Sequence, residues 1–152
     1  MDRVTAAISL GSNLGDRASH LRFGIYRISR ILDDMRVSNV RETAPFGVIE
    51  PQPAFLNAAV VGTTALTARE LLEALLDIER ERGRERPYRN APRTLDLDLI
   101  LLGDAIVDED GLTLPHPRFR ERRFVLEPLA EIAPALVDPV TGRSIGQLFN
   151  EA

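Results

Sequence analysis

Two periods of hydrophobic spacing alternate along the chain. Val4 to Leu10 reads as a strand closed by Gly11-Ser12-Asn13. Asp16 can cap a following helix, on which Leu21, Ile25, Ile28 and Leu32 repeat at helical spacing to about Asp33. Val37 to Glu42 reads as a short strand. Thr43 to Ala54 holds three prolines and a glycine and reads as a long loop. Phe55 to Leu66 suits a long strand. Thr67-Ala-Arg-Glu70 is a capping-box signature that opens a helix carrying Leu71, Leu72, Leu75, Leu76 and Ile78 and ending near Gly83. A second loop, Arg84 to Arg93, leads into a stretch from Thr94 that alternates polar and apolar and then turns wholly apolar at Leu99-Ile-Leu-Leu102. That strand is expected to be central in its sheet. A small hairpin-like excursion follows. A helix over "RRFVLEPLAEIAP", with its proline in the first turn, and a short one over Ser144 to Phe149 complete the pattern.

The order βαββαβ is that of the ferredoxin-like split βαβ, so the expected class is an α+β, ferredoxin-like βαββαβ sandwich with additional C-terminal elements. A chain of 152 residues suits a single domain, 1–152, and shows no repeat. No apolar run is long enough for a bilayer span, and the first residues lack a signal-peptide layout. With no cysteine, disulfides and thiolate chemistry are excluded, which suits a cytoplasmic location.

Charge sharpens the functional reading. The net charge is −4, yet every fixed side-chain cation is an arginine, and arginines cluster at 80–93 and 118–123. Base composition accounts for the missing lysines and leaves the clustering unexplained. An acidic chain with two local basic clusters suits a small polyanion such as a nucleotide better than nucleic acid. No protein partner can be inferred.

The clearest chemical signal is Asp96 and Asp98, two carboxylates expected on one face of a strand, about 6.7 Å apart along it. Such a pair can converge on Mg²⁺ if substrate phosphate completes the shell. An ordinary half-exposed strand would carry the same residues. Arg84 and Arg93 precede the pair and have the planar fork that suits phosphate, whereas Arg80 and Arg82 read as surface residues paired with Glu79, Glu81 and Glu85. His116, between two prolines, is either structural or a donor to phosphate. Phe46, Phe55, Phe119 and Phe124 offer flat faces for a heterocycle, or core. "GSNLGD" lacks a full phosphate-loop motif and reads as a strand-to-helix turn that needs glycine.

Taken together, "GSNLGD", "TAPFG", "FLNAA", "IERERGR", "PRTLDLDLILLG", "LPHPR" and "RRFVLEPLAEIAP" resemble the 6-hydroxymethyl-7,8-dihydropterin pyrophosphokinases of folate biosynthesis. The resemblance implies transfer of the pyrophosphoryl group of ATP to the pterin hydroxymethyl oxygen, giving AMP, with two Mg²⁺ ions. It implies Asp96 and Asp98 as metal ligands, with Arg84, Arg93 and Asp98 as the catalytic set. Arg84, Arg93, His116 and Arg122 would hold ATP. Thr43, Pro45, Phe46, Phe55, Asn57 and Phe124 would hold the pterin, Phe55 and Phe124 as stacking walls. The chain departs from the family in reading "RNAPRT" for "RWGPRT", and in carrying Phe55 where a tyrosine is common. Other readings are a different Mg²⁺-dependent phosphoryl or nucleotidyl transferase and a ferredoxin-like ligand-binding or regulatory module without catalysis.

Overall fold

The strand β1, Val4–Ser12, is buried from Ala6 onward because it lies inside the sheet and both its faces are covered. A computed structural model of the chain describes residues 2–44, 53–83 and 94–152. The remaining elements are α1 (Arg17–Ser29), β2 (Asp33–Val37), β3 (Arg41–Thr43), β4 (Phe55–Thr64), α2 (Ala68–Glu81), β5 (Asp96–Leu102), β6 (Val107–Glu109), β7 (Leu112–Leu114), α3 (Arg123–Ile132) and α4 (Ile145–Glu151), with a 3₁₀ turn at Phe119–Glu121. The main sheet runs β2-β4-β1-β5 with β3 also on β4, and every pairing is antiparallel. With β2 and β3 taken as two halves of one strand, this is the ferredoxin-like order expected from the sequence.

Several boundaries differ from those expected. The helix α1 stops at Ser29, but Ile31 and Leu32 still donate to the Ile28 carbonyl, so the apolar period continues one turn past the helix. The strand expected at Val37 to Glu42 is split. Between its halves Ser38 donates its N–H to the Ala59 carbonyl, and its Oγ accepts from the Ala59 N–H at 2.8 Å. Gly11 lies within β1 rather than in a turn, and Gly15, at φ +68°, is the turn glycine. Pro128 sits inside α3, beyond its first turn. The predicted capping box at Thr67 and the hairpin β6–β7 are present, the hairpin closing through Asp110-Gly111, and α4 opens on a second capping box, at Ser144, that was not predicted.

The strand with the acid pair is not central: β5 pairs with β1 alone among the described residues and forms an edge. Its apolar end has another cause. The β1–β5 register shifts between Ala7 and Ile8, so Leu99 faces Ile8 and Leu101 faces Ala7, with Ile100 the extra residue of a bulge. Leu99 and Leu102 join one core with Ile8, Leu10, Leu71 and Leu75, under α1 and α2. Ile100 and Leu101 join the other with Ala59, Val61, Val125 and Leu129, under α3 and α4. Helices thus cover both faces, so the period-2 signal disappears where both sides are apolar.

Asp138 staples the C-terminal elements. It is fully buried, and Arg120 donates to its two carboxylate oxygens at 2.5 and 2.9 Å, with further bonds from Thr141 Oγ1 and the Val140 N–H. Burial alone would raise its pKa, but these donors outweigh it and hold the carboxyl at about 2. A carboxyl depressed in the folded state stabilises above its ordinary value of 3.8, and that contribution is lost as pH falls toward 2. The gap corresponds to about 2 kcal/mol. Asp138→Asn is expected to lower the urea-unfolding free energy by about that amount at pH 7. The difference from wild type should shrink steadily between pH 4 and pH 2.

Candidate active site

The register across β4, β1 and β5 places Asn57, Gly11 and Asp96 directly opposite one another, so their side-chain positions share one face. Asp98 is on the same face one row further on, opposite Ser9. Adjacent strands are about 4.8 Å apart, which puts the Asn57 and Asp96 backbones roughly 10 Å apart with a residue lacking a side chain between them. On the outer side of β4, Thr43 pairs with Phe55 and Arg41 with Asn57. Asn57 is buried, and its Nδ2 donates to Thr43 Oγ1 at 2.6 Å. Thr43, Phe55 and Asn57 therefore form one cluster, as expected. Arg41 pairs with Glu131 at 2.7 Å and Glu127 at 3.5 Å, and so docks α3 beside this cluster. Phe124 lies at the N-terminal end of that helix and is partly exposed, with the Arg122 guanidinium 5.7 Å from its ring centre.

On the other side of the row, a cleft of about 300 Å³ opens between α2, β5 and the β6–β7 hairpin. Leu72 and Leu76 of α2, with Leu112 and Thr113 of β7, supply its walls, and Asp96, Asp98, Glu79 and His116 its polar groups. Apolar walls with a few convergent polar groups at the edge of a sheet suit a small-molecule ligand. Helix α2 serves two surfaces: Leu71, Leu75 and Ile78 enter the core, while Leu72 and Leu76 are half-buried and face the cleft.

Two backbone bonds hold β5 at its open edge. Glu79, itself buried, accepts the Leu97 N–H at 2.6 Å, between the two aspartates. The Ile100 carbonyl, at the bulge, accepts the His116 N–H at 2.9 Å. The bulge therefore hangs His116 beside the acid pair. The Arg118 N–H donates to His116 Nδ1 at 3.1 Å, so the neutral ring keeps its proton on Nε2 and is a donor there. Burial, then the charge of Arg122, holds the His116 pKa below 6.5. Asp96 pulls upward and Arg118 adds to the lowering. His116, Arg122 and Asp96 are thus brought together.

Arg84, Arg93, Pro45 and Phe46 lie outside the described residues. Arg80 and Arg82 are structural, as expected, although their partners differ. Arg80 pairs with Asp77. Arg82 donates to His20 Nδ1 at 2.9 Å and Ser19 Oγ at 3.1 Å and covers the Phe23 ring, tying α2 to α1. Phe119, offered as a stacking candidate, is fully buried. Sequence reasoning missed Glu79, Gly11 and the cleft walls. A carboxylate on an otherwise apolar helix face was the available signal for Glu79.

A profile of the 7,8-dihydro-6-hydroxymethylpterin-pyrophosphokinase (HPPK) family matches residues 7–134. The chain belongs to the HPPK family. It is 41% identical over 148 residues to the 2-amino-4-hydroxy-6-hydroxymethyldihydropteridine pyrophosphokinase of a Synechocystis strain, covering 96% of this chain and 75% of that one. It is 42% identical to the protein of the same name from Bacillus subtilis, covering 93% and 86%. A mitochondrial folate synthesis bifunctional protein of Arabidopsis thaliana is 44% identical over 132 residues, but the chain spans only 24% of it. A Plasmodium falciparum HPPK-DHPS crystal structure covers 99% of this chain at TM-score 0.78 and 15% identity, and the chain spans 44% of it. That likeness supports the fold alone. Nothing among these matches supports the expected alternative of a non-catalytic module. Among the described residues no helix is long and apolar enough to cross a membrane.

An anion bound near His116 would favour its charged form, against burial and Arg122. In the free protein His116 should titrate below 6.5, and a nonhydrolysable ATP analogue should move its midpoint upward. Side-chain NMR of the two histidines, His20 and His116, checks this. A midpoint that fails to rise would place the triphosphate elsewhere.

Proposed function

We infer that this HPPK-family chain transfers the pyrophosphoryl group of ATP to 6-hydroxymethyl-7,8-dihydropterin. The observation that carries the reading is the single row Asp96–Gly11–Asn57. It joins the cleft of about 300 Å³ to a polar and aromatic cluster on one sheet. In the reaction a bond forms from the hydroxymethyl oxygen to the β-phosphorus. The bond from that phosphorus to the oxygen shared with the α-phosphate breaks, AMP leaves with that oxygen, and the hydroxyl proton is released. Phosphoryl transfer of this kind asks a protein for positioning and charge neutralisation more than for covalent chemistry.

The residues divide accordingly. Leu72, Leu76, Leu112 and Thr113 take the nucleoside end of ATP. His116, through Nε2–H, and Arg122 donate to phosphate oxygens, with Arg84 and Arg93 completing the grip. Phe55 and Phe124 stack on the pterin, Asn57 bonds its edge, and Thr43, Pro45 and Phe46 line the same pocket. The carboxylate oxygens of Asp96 and Asp98 are hard donors that suit Mg²⁺. Among the described residues no three His, Asp or Glu side chains converge on one point, so the pair needs phosphate oxygens to complete a shell. Two Mg²⁺ ions held there with ATP would neutralise the charge that develops during transfer. Both substrates are small molecules, and nothing in the reading calls for nucleic acid, membrane or a protein partner. A cysteine-free chain suits the cytoplasm.

The deciding assay incubates the protein with ATP, Mg²⁺ and the reduced hydroxymethylpterin and identifies the nucleotide released. AMP supports the reading; ADP would make the protein an ordinary kinase. Asp96→Ala and Asp98→Ala should each remove most turnover from a protein that still folds, with the melting transition checked in parallel. Near-normal activity in either would sink the two-carboxylate site. Asn57→Ala should weaken pterin binding by about 1–3 kcal/mol, since the group opposite is left unpaired. Calorimetric titration with each substrate checks it, and a loss confined to ATP would overturn the assignment.

A further inference from the structure

We propose that Gly11 is a specificity-determining position, the one whose missing side chain leaves room for the heterocycle to meet Asn57. The proposal rests on the pterin reading above. A glycine inside a strand weakens it, because it adds no packing and loses the most entropy. Gly11 does not compensate by adopting a positive φ, unlike Gly15, Gly83 and Gly103. Close approach is the remaining reason for a glycine here. A Cβ at Gly11 would lie 3.3 Å from Asn57 Oδ1, 3.5 Å from Phe55 Cδ1 and 3.9 Å from the Leu56 carbonyl oxygen.

Two of those neighbours are the amide and the ring assigned to the heterocycle. Asn57 has little freedom to withdraw. It is 3% exposed, and its Nδ2 is committed to Thr43 Oγ1 at 2.6 Å. That bond turns Oδ1 toward Gly11 as an acceptor, the group that would read a ring N–H. A methyl group at position 11 would press on this oxygen and on the edge of Phe55. Larger side chains would fill the gap between Asn57 and Asp96. The site takes a flat heterocycle with a donor edge laid against bare backbone, and Gly11 sets that depth.

The test compares wild type with Gly11→Ala. The φ at this position is open to alanine, so the variant should melt within a few degrees of wild type and bind a nonhydrolysable ATP analogue as wild type does. Its affinity for 6-hydroxymethylpterin should fall at least about tenfold, the scale of one surplus methylene in a filled pocket. A folded variant that binds the pterin within about twofold of wild type overturns the proposal. Should the variant not fold, wild-type protein saturated with pterin gives a second reading. Nuclear Overhauser effects from ligand protons to the Gly11 Hα protons support the proposal, and their absence overturns it. Wild type that binds no pterin would bring down the functional reading itself, whereas pterin binding unaffected at position 11 brings down this inference alone.

Discussion

The alignment of β1 between β4 and β5 is the constraint on which the site depends. Asn57, Gly11 and Asp96 belong to three separate strands and meet only because the two ladders share one register. A slip of one residue in either pairing would turn Asn57 or Asp96 to the opposite face. Such a slip would also drive Leu56 or Leu97 out of its core contacts and expose apolar surface. Burial of β1 on both faces, with Ala6, Ile8 and Leu10 on one side and Ala7 on the other, makes the register costly to change. The core therefore fixes the positions of polar groups that it does not itself contain.

An edge position serves β5 better than the central one its composition suggests. A central strand would have both backbone edges committed to neighbours. At the sheet's edge, the Leu97 N–H is left for Glu79 and the Ile100 carbonyl for His116. Those two bonds satisfy backbone groups that an edge would otherwise present to another chain. They also bring a carboxylate and an imidazole to the acid pair from α2 and from the segment after β7. The bulge at Ile100 lets one strand present two aspartates at its start and contribute to both cores at its end.

The order of elements, the capping box at Thr67 and the hairpin-like excursion after β5 were legible because each rests on local chemistry. The acid pair and the likeness carried by "PRTLDLD" were legible for the same reason. What escaped depends on contacts between distant residues. Glu79 reads as a partner for its neighbouring arginines until Leu97, eighteen positions later, supplies its donor. Gly11 looks like turn punctuation until the register sets it against Asn57, 46 residues on. Arginine is ambiguous for another reason, since one fork suits a carboxylate as well as a phosphate. Arg41, Arg82 and Arg120 all prove structural, holding α3, α1 and the C-terminal loop respectively.

Strand β5 divides its labour along its length. Residues 99–102 are wholly apolar and sit between two helical layers, which hold them with little freedom. Asp96 and Asp98 are the half-buried continuation of that clamped segment. The core behind them and the Leu97–Glu79 bond between them resist bending of the strand, so the two carboxylates keep their spacing. Two like charges side by side are unfavourable as sequence, and the rigid core beside them is what keeps both on the wall of the cleft.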